Sequence, residues 1–343
     1  MVESLANLFD QLKVKADVVN YKQEGSFFVY DIKLKPNGTY SKLERCVTEI
    51  SLCLKSLEAP IIYPIMNEGI IRMEVMMSEP DDVLFSDIKD IKTNHILPLI
   101  LGKQRNGEVL TIDLSKMPHL LVGGATGSGK SVMLHTIINS LLNCDRNIRF
   151  AFIDPKRVEL ADYNSLSCRY SAVAKDIESS MVLLDNLVRE MDRRFLLLSK
   201  EGAKNIQEYS KKMPYIVLII DELADLMMGC KKDTQRYVCK LAQKSRACGI
   251  HLVLATQRPS VDVLTGLIKA NFPARLSCKV SSAVDSRVLL DRIGAERLAG
   301  KGDAIIKCDS HDFTRFKGAY TTRKDIMFSI NKQKKWWTKI WNS

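Results

Sequence analysis

Residues 119–131, HLLVGGATGSGKS, constrain the fold of this chain more than any other segment. A short apolar run breaks into a glycine-rich loop that ends in Lys-Ser, the G-x4-G-K-[ST] pattern of a phosphate-binding loop. Gly124, Gly127 and Gly129 let the backbone curl, so that its N–H groups, Ala125, Thr126 and Ser128 included, wrap a polyphosphate. The helix that follows adds its N-terminal dipole. Lys130 is placed to reach the β- and γ-phosphates, and Ser131 to ligate Mg2+, so ATP with Mg2+ is the expected ligand pair. The context agrees: His119 to Val122 reads as a strand, and Val132, Leu134, Ile137, Ile138, Leu141 and Leu142 form a helical apolar face.

Composition narrows the class. The 343 residues leave room for one large domain or two smaller ones, and 46% apolar content excludes a disordered chain. No apolar run reaches the roughly 18 residues of a membrane span, and MVESLANLFDQ lacks a signal-peptide layout, so a cytoplasmic protein is expected. Nine cysteines without a C-x-x-C pair argue against a zinc site or a disulfide framework. The net charge of +11 is uneven: residues 1–90 hold 10 Lys+Arg against 15 Asp+Glu, and residues 91–343 hold 41 against 25. A basic half that coincides with the nucleotide-binding half points to a second polyanion, nucleic acid before an anionic membrane.

Residues 1–90 read as a small α+β domain. Phe27 to Leu34 alternates as a strand, Leu43 to Leu57 carries an amphipathic helix, and Ile61 to Ile65 and Ile70 to Met76 are extended. Glu79 to Asp90 is the expected junction. From Ile96 onward, apolar strands alternate with helices, the signature of a mainly parallel sheet with crossover helices in residues 91–325. The strands are expected at 119–122, 148–153, 215–220, 251–255 and 275–280. A long helix is expected at Ile177 to Lys200, with Ile177, Met181, Leu184, Leu187, Val188, Met191, Phe195 and Leu198 as its stripe. Residues 326–343 form a basic tail with all three tryptophans. Trp337 and Trp341 at i and i+4 suggest a helix that docks on its own domain before a partner or a membrane.

The catalytic pattern follows the third of these strands. YIVLIIDE ends in two carboxylates, with Asp221 placed to hold Mg2+ and Glu222 to orient and deprotonate the attacking water. The next strand ends in ATQRPS, which puts Thr256 and Gln257 at the carboxyl edge of the sheet, where Gln257 can sense the γ-phosphate. Arg246 is expected near the end of a helix from Asp233 to Cys248, with Gly249 as its cap. On residue chemistry alone, that arginine would only complement the helix dipole.

Six stretches together resemble the FtsK/SpoIIIE-type DNA translocases, RecA-like P-loop motors. They are MPHLLVGGATGSGKSV, FIDPKRVELADYNSL, IVLIIDELADLMM, AQKSRACGIHLVLATQRPSVDVLTGLIKANFPARL, VSSAVDSR and GAERLAGKGDA. The resemblance spans about residues 98–320 and implies a homo-hexameric ring with ATP between subunits and double-stranded DNA in the channel. It implies that Arg246 is an arginine finger for the neighbouring subunit, and that Arg258, Lys269 and Arg287 touch DNA phosphates. Asp154 and Lys156 match a motif near the nucleotide. Ala283 stands where relatives carry a basic channel residue, and Arg292-Ile293 departs from the glycine-rich approach to Gly-Ala-Glu.

The chain is read as lacking the family's membrane anchor and winged-helix domain, which suits a plasmid, phage or other mobile element moving its own DNA. A conjugative coupling ATPase, handling single-stranded DNA with a membrane-anchored or relaxase-type partner, is the near alternative. A protein-secretion ATPase and a non-translocating DNA-binding regulator are the alternatives from other classes.

Overall fold

A computed structural model describes residues 2–117, 119–144 and 146–341, with the backbone course alone for 334–341. The first unit contains α1 (Val2–Gln11), β1 (Ala16–Glu24), β2 (Phe27–Leu34), α2 (Tyr40–Arg45), α3 (Val47–Leu54), β3 (Ile61–Ile65) and β4 (Ile70–Met76). Its four antiparallel strands are ordered β1-β2-β4-β3, over a core that includes Leu5, Phe9, Ile32, Ile50 and Met73. The single helix expected from Leu43 to Leu57 is two helices, broken at Cys46 (φ −91, ψ 15) and stopped by left-handed Lys55 (φ 53). Leu57 therefore falls outside the apolar face and is half exposed.

The large unit begins with β5 (Val83–Leu84) and α4 (Phe85–Ile88), continues through β6 (Pro98–Gln104) and β7 (Val109–Asp113), and reaches β8 (His119–Gly123) and α5 (Lys130–Asn143). Then come β9 (Ile148–Ile153), α6 (Ile177–Lys200), β10 (Tyr215–Ile220), α7 (Leu223–Lys244), β11 (Ile250–Thr256) and α8 (Gly266–Asn271). The unit ends with β12 (Ala274–Cys278), α9 (Ala283–Leu290), β13 (Asp303–Cys308), β14 (His311–Tyr320) and α10 (Arg323–Trp341).

One sheet runs β7-β6-β14-β13-β12-β8-β11-β10-β9, with β5 added beside β14. The five strands from β12 to β9 are mutually parallel and the others antiparallel, apart from the short β5. Buried side chains cover both faces: α6 and α7 pack on one, α5 and α10 on the other. This is a RecA-like α/β architecture, in which strands buried on both faces read as continuous apolar runs.

Four expectations need correction. The expected junction, Glu79 to Asp90, is partly built into the large unit, because β5 joins its sheet and Phe85 and Ile88 are buried. The helix expected at Asp233 to Cys248 begins at Leu223 and ends at Lys244, with non-helical Cys230 (φ −149, ψ 63) inside it. At the preceding Gly229, a Cβ would lie 2.0 Å from Ile177 Cδ1, so glycine lets α7 and the start of α6 meet. The stripe of α6 is also less apolar than expected. Ile177 is 38% exposed, while buried Arg194 donates to Cys248 O at 2.9 Å and to Glu190 at 2.8 Å. Finally, β12 stops two residues before the expected end.

The two units share buried surface. Ile61 and Tyr63 of β3 belong to the core of the large unit, and Tyr63 lies 5.1 Å from Phe313, ring centre to ring centre. Arg105 and Arg315 both flank buried Glu74, and Arg297 donates to Pro60 O at 3.1 Å. The side chains of Trp337 and Trp341 lie outside the described residues.

Candidate nucleotide site

The loop from Gly124 to Gly129 leaves the carboxyl end of β8, which lies between β12 and β11, and runs into α5. Its turn depends on Gly127 (φ 76) and Gly129 (φ 102), both left-handed. A Cβ at Gly129 would also sit 2.7 Å from the backbone N of Gly302. That contact shows what supports the loop from behind: the Gly302 N–H donates to Ser128 O at 3.2 Å. The Gly-Lys-Gly turn before β13 therefore acts as a backstop. A cavity of about 530 Å3 opens over the loop, lined by Ala125, Thr126, Gly127, Gly129, Lys130 and Ser131, with Gln257 and Glu159 at its side.

Lys130 is buried, and its Nζ donates to Asp221 O at 2.8 Å and to Asp221 Oδ1 at 3.1 Å. Burial raises the pKa of the Asp221 carboxyl, and the Lys130 ammonium opposes that shift. Glu222 is 2% exposed and caps α7 through Ala224 N–H. Its carboxylate also accepts from Thr256 Oγ1 at 2.7 Å and from Gln257 N at 2.9 Å. Three donors, one in the first turn of α7 and two at the end of β11, thus fix its orientation. The Lys156 ammonium stands 3.9 Å from Glu222 and 3.7 Å from Asp225, while Asp154 accepts from Leu160 N–H at 2.9 Å and shapes that turn. Gln257 links the strand end to the phosphate loop, its Oε1 accepting from Thr126 Oγ1 at 2.9 Å.

For Mg2+, the hydroxyl of Ser131 and the carboxylate of Asp221 are the hard oxygen donors that such an ion takes. No cluster of three or more His, Cys, Asp or Glu suited to a metal exists among the described residues, so phosphates and water would complete the shell.

Arg246 lies elsewhere. It is exposed in the turn Ser245–Gly249, which Gly249 closes at φ 75 before β11 begins. The seven residues of β11 then separate it from Gln257, about 20 Å of extended chain. Arg246 consequently opens on the amino edge of the sheet and stays out of its own chain's phosphate loop. It lines a cleft with Lys116, Lys204 and Lys244.

The three basic residues expected at DNA sit on three different segments. Arg258 is exposed at the carboxyl edge, and Arg287 is exposed on α9. Lys269, at the other edge, pairs with Asp291 at 2.8 Å in a cluster with Arg275 and Lys307. Asp291 itself takes the left-handed position (φ 61) that ends α9. Arg292 pairs with Asp312 and covers the Phe313 ring, which gives the departure at Arg292-Ile293 its local role. Ala283 opens α9 just after its Ser282 cap.

Of the residues expected at the nucleotide, Lys130 and Gln257 line the cavity, and Asp221 and Glu222 stand behind them as their hydrogen-bond partners. Sequence reasoning missed Thr256 as the donor that orients Glu222, and it missed the far wall formed by Asp82, Leu84, Lys317 and Tyr320. Gly300-Lys301-Gly302 was the one available signal for the backstop; strand pairing across more than 200 residues leaves no local mark on Leu84 or Tyr320.

A phosphate loop, a buried strand-end Asp-Glu pair and a Gln at the next strand end, on a RecA-like sheet, define a P-loop NTPase. The FtsK/SpoIIIE family model matches residues 87–214 and 207–261, and the chain belongs to that family. It is 37% identical to the DNA translocase FtsK of Treponema pallidum over 97% of this chain and 44% of that protein. It is 38% identical to the DNA translocase FtsK of Lactococcus lactis subsp. cremoris over 94% of this chain and 45% of that protein. The chain thus spans less than half the length of these curated relatives.

Among solved structures, the pCW3 conjugation coupling protein TcpA with ATPγS superposes with a TM-score of 0.70 at 26% identity, covering 97% of this chain and 98% of that one. The cytoplasmic domain of the type VII secretion ATPase EccC of Thermomonospora curvata gives 0.64 at 24% identity, over 74% and 34%, and shares the fold. No helix among the described residues is long and apolar enough to cross a membrane.

Proposed function

We propose that this chain is an ATP-driven DNA translocase whose copies form a ring, with ATP hydrolysed between neighbours. The observation that carries the reading is that Lys130 and Gln257 line one cavity and are held from behind by the buried Asp221 and Glu222, while the family's finger arginine opens on the opposite edge. The Lys130 ammonium and the loop N–H groups bind and neutralise the β- and γ-phosphates. The buried, triply held Glu222 carboxylate orients a water and takes its proton as the γ-phosphoryl transfers. Mg2+, held by Ser131 with Asp221 nearby, supplies charge neutralisation when bound. Arg246 of one copy completes the pocket of the next in a homo-hexamer, stabilising negative charge in the transition state.

Duplex DNA is the proposed polyanion, gripped through phosphates by Arg258 and Arg287. Arg258 directly follows Gln257, so the γ-phosphate sensor and a DNA contact share one strand end. Phosphate contacts carry no sequence information, which suits a motor stepping along any DNA. A coupling ATPase for conjugation is the second reading, favoured by the near full-length superposition on TcpA. A cytoplasmic location and a mobile element as host process complete the proposal.

The test is the Mg2+-dependent ATPase rate of wild type and Lys130→Ala with duplex DNA, single-stranded DNA or none. Stimulation by duplex that is lost in Lys130→Ala supports the translocase, and stimulation by single strands alone supports the coupling role. Lys130→Ala hydrolysing ATP at the wild-type rate defeats the site assignment.

A further inference from the structure

The segment between the two units has a second role that its acidic composition hides. β5 pairs with β14 in parallel, Val83 opposite Ala319 and Leu84 opposite Tyr320. Alternation along the strands then separates two faces. Val83 and Ala319 are buried with Phe85, Ile88 and Ile100, whereas Leu84 and Tyr320 emerge together, 42% and 53% exposed. Both line the cavity that holds the phosphate loop, along with Val132 in the first turn of α5. Asp82 stands at the rim, its carboxylate 3.2 Å from Lys317 Nζ.

A leucine and a tyrosine ring left open on one wall of a cavity offer apolar surface that gains from being covered. The opposite wall binds phosphates through backbone N–H groups and Lys130. A ligand that spans both walls carries a polyanion at one end and a flat, weakly polar ring at the other. A nucleoside triphosphate has that shape and chemistry, and an aromatic ring stacks on any base because every base has a π face.

We infer that Leu84 and Tyr320 form the seat of the nucleobase, with the Tyr320 ring stacking on it. The inference rests on the nucleotide-binding reading above and adds where the base lies. It also means that the strand joining the small unit to the large one forms part of the nucleotide's own wall.

Binding of ATPγS and of inorganic tripolyphosphate to wild type, Tyr320→Ala and Tyr320→Phe, each with Mg2+, tests the seat by titration calorimetry. Tyr320→Ala should weaken ATPγS about tenfold, leave tripolyphosphate affinity unchanged, and be rescued by Tyr320→Phe. Unchanged tripolyphosphate binding also shows that the variant is folded. If Tyr320→Ala binds ATPγS as wild type does, or loses both ligands equally, the base seat is wrong while the phosphate-loop assignment stands. If wild type itself binds neither ligand, the nucleotide-site reading fails and takes this inference with it.

Discussion

Behind the phosphate loop, at the carboxyl edge of the parallel strands, Lys130, Asp221 and Glu222 are buried and hydrogen-bonded; in the cleft around Arg246, at the amino edge, the cations stand without a carboxylate. Lys130 holds Asp221, and Glu222 accepts from Thr256 and Gln257. The amino-edge cleft, lined by Lys116, Lys204, Lys244 and Arg246, contains no carboxylate among its lining residues. The first arrangement is preorganised, because a carboxylate fixed by three donors needs little rearrangement when it acts. The second lacks the anion that its cations call for. In the proposed ring, the neighbour's triphosphate is that anion, and one sheet serves two active sites through its opposite edges. The cluster of Lys269, Arg275 and Lys307 sharpens the contrast, since Asp291 already pairs with all three.

The largest expected effect at the carboxyl edge is that of Glu222→Gln. Loss of the base should slow hydrolysis on the order of 10³-fold while ATP still binds, read by single-turnover phosphate release beside nucleotide binding. A variant that turns over at the wild-type rate would show that the triply held carboxylate is only a helix cap.

A smaller effect is expected for Arg258→Glu, which should remove most DNA stimulation and flatten the salt dependence of binding while basal ATPase persists. Unchanged stimulation would move the DNA path away from the carboxyl edge.

The smallest effect belongs to Asp291→Asn, which keeps a side chain tolerant of the left-handed position and removes only charge. Burial works against the Asp291 charge, but Lys269, Arg275 and Lys307 outweigh it and hold the pKa down to about 2. A carboxylate lowered in the folded state stabilises above its unfolded pKa and loses that contribution as pH falls through the folded value. Solvent screening limits the cost to about 1 kcal/mol at neutral pH. The stability gap between wild type and variant should therefore hold above pH ~4 and close toward pH ~2, followed by denaturant unfolding. A gap that persists at pH ~2 would assign the effect to backbone conformation.

Much of the site was legible because its signals are local. Glycines in a turn, an apolar strand ending in Asp221-Glu222, and Gln257 after a strand each declare themselves within a few residues. The α6 boundaries and the strands β9 and β10 were equally plain from period and length. What stayed hidden depends on long-range pairing. Nothing near Leu84 or Tyr320 shows that β5 lies against β14, and nothing near Lys269 announces Asp291. The split of α7 at Cys230 sits beside the close approach of Gly229 to Ile177, and the helical period shows neither. Arg246 carries no local signal either: a helix-end arginine and a finger for a neighbour look alike in sequence, and the fold adds that it opens on the amino edge of the sheet.

The most direct test of the two-edge account mixes Arg246→Ala with Lys130→Ala and follows Mg2+-dependent ATPase with duplex DNA over a range of ratios. Each variant alone should be nearly inactive. In the mixture, an intact phosphate loop on an Arg246→Ala copy can meet an intact arginine on a Lys130→Ala neighbour, and the account predicts partial recovery that peaks at intermediate ratios. Mixed assemblies confirmed by pull-down of one tagged variant with the other, yet inactive at every ratio, would contradict it.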